Sequence, residues 1–579
     1  MSNKGNMIGL GVMAAASVVL IAASNPLYNA IKDAQLKNAA GGEEVTMASG
    51  EAEGYGGTIT AQVTLAGDRI IGLELTGTQE TPDIGGQAMT DLKNSILENQ
   101  SLEGVDVVSG ATWTSKGVFD AIRMAMGEET GTGENGGDAA AQEEIQAAGI
   151  THGLGFYSNG RLGPGSDDQE TGVYSFNEVV AYVLFDNEGR ILDLEVDQLE
   201  VATPNYDGES MPDFTGFPGQ SYNADEDHDA VVDGVWEQTE DEFLAQVGSW
   251  QTKRERGSSY KLNSGTWEDE MDIFENFFRG MTVAEIEDWY AKACSDANGR
   301  PLFGTSENEG DIAKYEALTE EEKASMDAIS GATMSLNDAH GNIIGAIVKA
   351  YEYRRPVNAE KIAKIGLGFT NTGRLGPGSD DQGVGVYSFN TQAAGVCYDE
   401  EGKIAAIYTD VMEVATPNYD GESMPGLTGF PGQSYNADED HDAVVDAVLE
   451  QTEDTFLAEI ESWQTKRERG SSYKLNSGTW EDEMDIFEDF FTGMTTDEVS
   501  GWFASSCSDV NGRPLFGTSE NEEDVAKYEA MSQEQKDAMD AVSGATMSLR
   551  DAHGDILGAI EKAWDFAKDT NITAAGAAE

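Results

Sequence analysis

Basic residues are scarce in this chain of 579 residues: 35 Lys and Arg stand against 106 Asp and Glu, for a formal net charge of −71. A surface of that sign repels nucleic-acid phosphates and anionic membrane lipid, which excludes nucleic acid as a partner class. Cysteine is scarcer still. Only Cys294, Cys397 and Cys507 occur, none in a Cys-x-x-Cys or Cys-x-x-Cys-His arrangement. That argues against cysteine-held iron–sulfur clusters, c-type haem and zinc ribbons, and leaves no disulfide framework. Cys294 and Cys507 sit in the matching contexts YAKACSD and FASSCSD, and their plain reading is a buried thiol.

Apolar residues are plentiful by contrast, at 39% with nine Trp, so the acidity is a solvated surface over packed cores rather than a mark of disorder. The length predicts two or three domains. Near the start, Lys4 precedes an apolar run from Met7 to Ser24, and no further charge comes before Lys32. Eighteen residues at about 1.5 Å each reach roughly 27 Å, which reads as an export signal over residues 1–30. A retained single-pass anchor is expected, with the rest of the chain outside the cytoplasm; a cleaved signal peptide, with Ala22 to Ser24 as the cleavage site, is the other reading. No cysteine precedes Cys294, so lipid attachment at an N-terminal cysteine is excluded.

One pattern, Asp-x-x-Ser-Gly-Ala-Thr-x-(Thr/Ser), occurs three times. Asp106, Ser109, Gly110, Ala111, Thr112 and Thr114 form the first copy. Asp327, Ser330, Gly331, Ala332, Thr333 and Ser335 form the second, and Asp540, Ser543, Gly544, Ala545, Thr546 and Ser548 the third. Each copy runs into an apolar periodic stretch that predicts a helix start. A terminal hydroxyl at such a start is ordinarily an N-cap, and Ser335 with Asp338 and Ser548 with Asp551 even approximate a capping box. Capping needs one hydroxyl, however, and leaves Ser-Gly-Ala-Thr upstream unexplained. A glycine that lets the backbone turn, followed by helix N–H groups, suits an anion.

The second and third copies belong to a duplication, because residues 153–353 recur at 366–566 with a constant offset of 213. Two units of that size suit two domains, 151–353 and 366–570, better than a solenoid. The segment 50–127 is a shorter relative. GGTITAQVTLAGDRIIGLELTG reads as strand, turn and strand before Thr81-Pro82, as does VVAYVLFDNEGRILDLEVDQLEVA before Thr203-Pro204. From Pro82 to Ser109 is 27 positions and from Pro204 to Ser330 is 126, so each repeat carries 99 additional residues. HDAVVDGVWEQTEDEFLAQV, WEDEMDIFENFFRGM and TVAEIEDWYAKAC predict that this insertion is mostly helical. Between the first two lies a basic island of Lys253, Arg254, Arg256 and Lys261, either a neutralising surface turn or a clamp for a phosphate or an acidic neighbour. Residues 128–150 read as a flexible acidic tether and 354–365 as a short join, which predicts two repeats packed together and a first domain that moves relative to them.

ETPDIGGQAM (Glu80 to Met89) and SGATWT (Ser109 to Thr114) resemble the two signature stretches of the FMN-binding domain family, found in the flavin-carrying subunits of the sodium-pumping quinone reductase and the Rnf complex. The wider family includes multi-flavin surface proteins of extracellular electron transfer. The resemblance implies an α+β fold of three FMN-binding-type domains, each a small antiparallel sheet packed with helices, the last two with a helical insertion. It implies FMN esterified through its phosphate to Thr114 by a separate FAD-dependent flavin transferase, and, by the shared pattern, to Ser335 and Ser548. Serine departs there from the commoner threonine but forms the same phosphoester. Glu80 and Thr81 are implied to contact the isoalloxazine ring, and alignment of the Thr-Pro elements extends this to Thr203 and Thr416. Asp106, Asp327 and Asp540 would orient the loop or help the transferase dock; a loop-capping carboxylate is an equal reading.

The expected function is then an exported, membrane-tethered relay of electrons through covalent FMN groups. A membrane quinone or flavin reductase would be the donor, and an extracytoplasmic molecule or domain the acceptor. A flavin-dependent reductase of a small substrate is the alternative, weakened by the lack of a dinucleotide fingerprint or an evident substrate-reducing set; a non-redox surface binding protein is a third. His340 and His553, Trp267 and Trp480, and the Asp-Glu-Asp-His-Asp stretches around His228 and His441 all have ordinary packing or surface readings, and no metal site is expected.

Overall fold

The computed structural model describes residues 45–53, 57–67, 69–77, 85–102, 105, 108, 112–126, 145–262, 265–475 and 478–574. The chain divides into two units, one of residues 1–140 with the short stretch 263–265, the other of all the rest. Helices and antiparallel sheets together make the fold α+β. Among the described residues no helix is long and apolar enough to cross a membrane; the apolar run Met7 to Ser24 lies outside them.

In the first unit β1 (Val45–Glu53), β2 (Thr58–Ala66) and β3 (Arg69–Thr76) form an antiparallel meander. Alternation in β2 buries Ile59, Ala61 and Val63 while Gln62 stays exposed, the mark of a sheet covered on one face. Helices Gly85–Asn99 and Thr112–Met126 supply the cover through Leu92, Ile96, Val118 and Ile122. The second of them approaches β1 so closely that a Cβ on Gly50 would lie 2.2 Å from the Ala121 carbonyl oxygen.

The second unit contains both repeats. After β4 (Ile145–Ala147) come β5 (Thr151–Ser166), β6 (Gly172–Phe185) and β7 (Ile191–Ala202). These three, with Arg355–Pro356 on the outer side of β5, form an antiparallel sheet. Its counterpart runs Ile404–Ala415, Gly385–Tyr398, Lys361–Ser379 and Lys568–Ala574, with β4 added in parallel at the edge. The stretches read as tether and join therefore end in sheet strands, because Ile362 and Ile365 are apolar enough to enter the core.

The two sheets share one core. Val180, Tyr182 and Leu184 of β6 face Phe369, Phe389 and Met412 of the other repeat, while Val179, Ala181, Val183 and Phe185 face the insertion helices and the repeat's last helix, Ile343–Glu352. The order is thus helices, sheet, sheet, helices. β7 alternates apolar with acidic residues and would be expected to show one face to water. It is buried throughout because Asp193 and Glu195 meet Arg279, Arg254 and Lys568.

The repeats also exchange parts. Helix Glu240–Gly248 lies against strand Lys361–Ser379, with Leu244 and Phe243 at Gly373, and helix Glu453–Glu461 lies on β5, with Phe456, Leu457 and Ile460 at Gly160. Tyr387 donates its hydroxyl to Glu240 and Tyr174 its own to Glu453, both at 3.0 Å. The amide of Gln220 donates to the Thr428 carbonyl at 2.7 Å, and that of Gln433 to the Thr215 carbonyl at 2.6 Å.

In the insertion, WEDEMDIFENFFRGM and TVAEIEDWYAKAC form helices Trp267–Phe278 and Val283–Ala293, each opened by a threonine capping box. HDAVVDGVWEQTEDEFLAQV is helical only from Glu240; its first half is an acidic turn and the short strand Gly234–Glu237. His228 and Ala230 there hold positive φ of 56° and 66°, which no helix tolerates.

Candidate functional site

Thr114 is the third residue of helix Thr112–Met126, where first-turn N–H groups lack intrahelical partners, and is 1% exposed. The next residue, Ser115, is fully buried and its Oγ accepts the Val108 N–H at 3.0 Å, tying the preceding loop to the helix. Glu80, Thr81, Asp106, Ser109, Gly110 and Ala111 lie outside the described residues, and Thr112 is described only as the first residue of the helix.

The repeats place their serines differently. No helix begins at Ser335 or Ser548: residues Asn337–Asp338 and Gly341–Asn342 form a small hairpin first, and the helix starts at Ile343, with Ile556 its counterpart. Asp338 is therefore no helix cap. It accepts the His340 N–H at 2.8 Å and bonds His340 Nδ1 at 2.9 Å, a turn that Asp551 and His553 repeat. Burial opposes the Asp338 charge, but His340 outweighs it and holds the carboxyl below the usual range; Asp551 and His553 behave alike. Asn159 and Asn177 donate to the Ala339 carbonyl at 2.9 and 3.1 Å and fix the hairpin to the sheet. His340 is exposed and one hairpin away from Ser335, not one helical turn.

The Ser335 hydroxyl oxygen is shut from solvent and lies against the Asp338 carboxylate, as the Ser548 oxygen does against Asp551. Each lies beside a glycine, Gly299 or Gly512, at which a Cβ would come within 2.6 or 2.5 Å of it. Upstream, Ala332 and Ala545 are fully buried, and Gly331 and Gly544 face Ile273 and Ile486, which a Cβ would meet at 2.9 and 2.7 Å. Ser330 and Ser543 are exposed. Asp327 ends helix Glu320–Asp327, and Asp540 sits exposed in the turn Met539–Val542.

Sequence reasoning missed Glu270 and Glu483. Glu270, 1% exposed on helix Trp267–Phe278, accepts the N–H groups of Thr333 and Met334 on its Oε2 at 2.6 and 2.7 Å. Glu483 does the same for Thr546 and Met547 at 2.6 and 2.9 Å. A signal was present: Glu270 falls three positions after Trp267 and beside Met271, on the apolar stripe of its helix, where a carboxylate needs a partner.

Thr203 and Thr416 are buried, and each hydroxyl accepts the N–H of a tyrosine, Tyr174 or Tyr387, at 3.1 Å. They tie the end of one strand to the start of its neighbour. Half of the basic island is a buried clamp for acidic neighbours, since Lys253 and Arg161 pair with Glu200, both at 3.0 Å, and Arg254 with Glu275 at 2.6 Å and Asp272 at 3.0 Å, while Lys261 stays exposed. Although burial pushes the Glu200 carboxyl up, these cations hold it below its ordinary value. Trp267 and Trp480 are core residues, both 2% exposed. Near His228, Asp225, Asp227 and Asp229 bring carboxylate oxygens within 4.8 Å of one another, as do Asp438, Asp440 and Asp446 near His441. Asp225 already accepts the Asp229 and Ala230 N–H groups, so the turn is explained by its own bonds.

The same strand–helix approach occurs in all three regions. Cβ atoms on Gly155 and Gly368 would lie 2.1 Å from the carbonyl oxygens of Ala346 and Ala559, as one on Gly50 would at Ala121.

Residues 54–127 match the FMN-binding domain family. A curated relative, the chlorophenol reductase of Desulfitobacterium hafniense, is 35% identical over 192 residues, which make up 32% of this chain and 52% of that protein. The chain thus spans about half the length of that relative.

Proposed function

We propose that the FMN-binding domain of residues 54–127 is the first of three flavin-carrying domains in an exported, membrane-tethered electron-transfer protein, with FMN esterified to Thr114, Ser335 and Ser548. The observation that carries this reading is the glycine-mediated contact of first strand and last helix, made alike at Gly50, Gly155 and Gly368, with a Ser-Gly-Ala-Thr loop ahead of that helix each time. It supports one core shared by the duplicated repeats and a first domain whose sequence is otherwise diverged from theirs.

Bound FMN supplies the redox chemistry, taking up and releasing electrons with accompanying protons. The protein's share is to hold it. A first-turn hydroxyl on helix Thr112–Met126 places a phosphate where helix N–H groups and the macrodipole favour negative charge. In the repeats the acceptor loop sits on the insertion helix instead. The run Met7 to Ser24 supports export and anchoring, and covalent attachment suits a compartment where free flavin is lost. The partners are an FAD-dependent flavin transferase, a membrane quinone or flavin reductase as donor, and an extracytoplasmic acceptor. Likeness to a chlorophenol reductase favours a second reading, a flavin-dependent reductase of a small molecule.

Co-expression with the transferase, followed by peptide mass spectrometry and ultraviolet fluorescence of a denaturing gel, tests the flavin count. Covalent FMN on the three acceptor peptides is the expected result. Thr114 alone would reduce the relay to one carrier, and no modification under conditions that modify a control protein would defeat it. Reduction of chlorinated phenols by the loaded protein, with turnover, would favour the reductase.

A further inference from the structure

The insertion of 99 residues has no counterpart in the first domain, yet it reaches each acceptor loop of the repeats at two points. Ile273 packs against Gly331, and Glu270 accepts the N–H groups of Thr333 and Met334, the two residues directly before Ser335. Ile486, Gly544, Glu483, Thr546 and Met547 repeat the arrangement before Ser548. No helix N-terminus lies at either serine, so the backbone geometry that Thr114 takes from its helix must come from elsewhere.

We propose that Glu270 and Glu483 are positioning residues for flavin transfer, fixing the backbone of the acceptor loops beside Ser335 and Ser548. The proposal rests on the reading that these serines are flavinylated. Both amides donate to a single oxygen, Oε2, so one acceptor atom fixes two successive peptide units next to the serine. Glu270 is 1% exposed, so this acceptor is fixed in the packed helix layer, and its removal takes one oxygen from two successive amides at once. In the transfer itself the serine Oγ–P bond forms as the P–O–P bridge of FAD breaks. AMP leaves with the bridging oxygen, and the hydroxyl proton passes to solvent. Glu270 takes no part in that exchange and acts through the loop.

The full chain provides its own controls, because the loop of Ser548 is held by Glu483 in the other repeat and Thr114 lies on a helix of the other unit. Glu270→Ala, Glu270→Gln and the wild-type chain are each co-expressed with the transferase, and FMN occupancy is read on the three acceptor peptides by mass spectrometry. Alanine removes the acceptor, and glutamine keeps one oxygen in place. The expected result is a fall in Ser335 occupancy of about tenfold in Glu270→Ala, with Ser548 and Thr114 unchanged and Ser335 largely restored in Glu270→Gln. Glu483→Ala should mirror this at Ser548. Equal occupancy at Ser335 in the wild type and Glu270→Ala overturns the positioning role while leaving the flavin reading intact. A fall at Ser548 in step with Ser335 overturns it too, since the effect would then be global. An unmodified Ser335 in the wild type overturns the reading beneath the proposal, and the proposal with it.

Discussion

Phe176 stacks on Phe389, its own counterpart 213 residues later, with ring centroids 5.6 Å apart and planes 12° from parallel. Trp250 and Trp463 meet both rings edge-on at 5.4 to 5.8 Å, so each repeat contributes to the surroundings of the other's phenylalanine. A core shared in this way cannot melt by halves. Urea unfolding of residues 141–579 should give one transition, coincident by tryptophan fluorescence and circular dichroism. Phe389→Ala should lower its stability by about 3–5 kcal/mol without splitting it. Two separated transitions would contradict the shared core.

Charge crosses the same boundary. Lys568 of the second repeat pairs with Asp272 at 2.7 Å and Glu195 at 3.1 Å of the first, and Arg355 of the first with Asp485 at 2.5 Å and Glu488 at 2.7 Å of the second. Arg254 sits deeper than either, with a side chain 5% exposed among Glu275, Asp272 and Glu195. Arg254→Met should cost about 3–5 kcal/mol because it leaves buried carboxylates uncompensated, and more than Lys568→Met, whose side chain is 19% exposed. Denaturant midpoints of the two variants test that order.

Much of this was legible before the structure. Alternation gave β2 and β3, an apolar run gave β6, and apolar positions three or four apart gave the helices Trp267–Phe278 and Val283–Ala293, since local patterning and burial agree there. The burial of β7 was not, because its acids read as a solvent face until cations far along the chain are brought to them. The start of the last helix was misplaced for a local reason: the Asp338 turn and the positive φ of 140° at Gly341 interrupt an otherwise helical pattern. Glu270 lay in plain view on an apolar stripe, but its partners are 63 and 64 residues away.

Gly155 offers a test of the strand–helix contact. An alanine methyl there would meet the Ala346 carbonyl oxygen at 2.1 Å and the Ala350 nitrogen at 2.4 Å, and backbone cannot yield as a side-chain tip can. Gly155→Ala should therefore destabilise by about 1–3 kcal/mol or more. Gly248→Ala, at a helical position with nothing within 4 Å, should be neutral or stabilising by up to about 1 kcal/mol. Thermal melts of the pair separate steric crowding from a general intolerance of substitution.

Glu178 lies wholly buried on β6, beside Thr391 and with neither carboxyl oxygen in a well-formed hydrogen bond. Burial pushes its pKa up to about 7, against which the Thr391 hydroxyl is the smaller influence. A carboxyl raised in the folded state is neutral and costs nothing below its unfolded pKa near 4.5. Its ionisation destabilises the fold progressively as pH rises from there to about 7, and the cost is constant above that. A shift of that size corresponds to about 3 kcal/mol. Glu178→Gln keeps the shape and removes the charge, so its urea midpoint should match the wild type near pH 4.5, exceed it increasingly up to pH 7, and hold a constant lead beyond. Asp197 and Asp410, also pushed up to about 7, and Glu195, to about 8, titrate in the same direction in both proteins, and the difference between them isolates Glu178. A lead that is already full at pH 4.5 would mean that the gain comes from packing or hydrogen bonding and not from the charge.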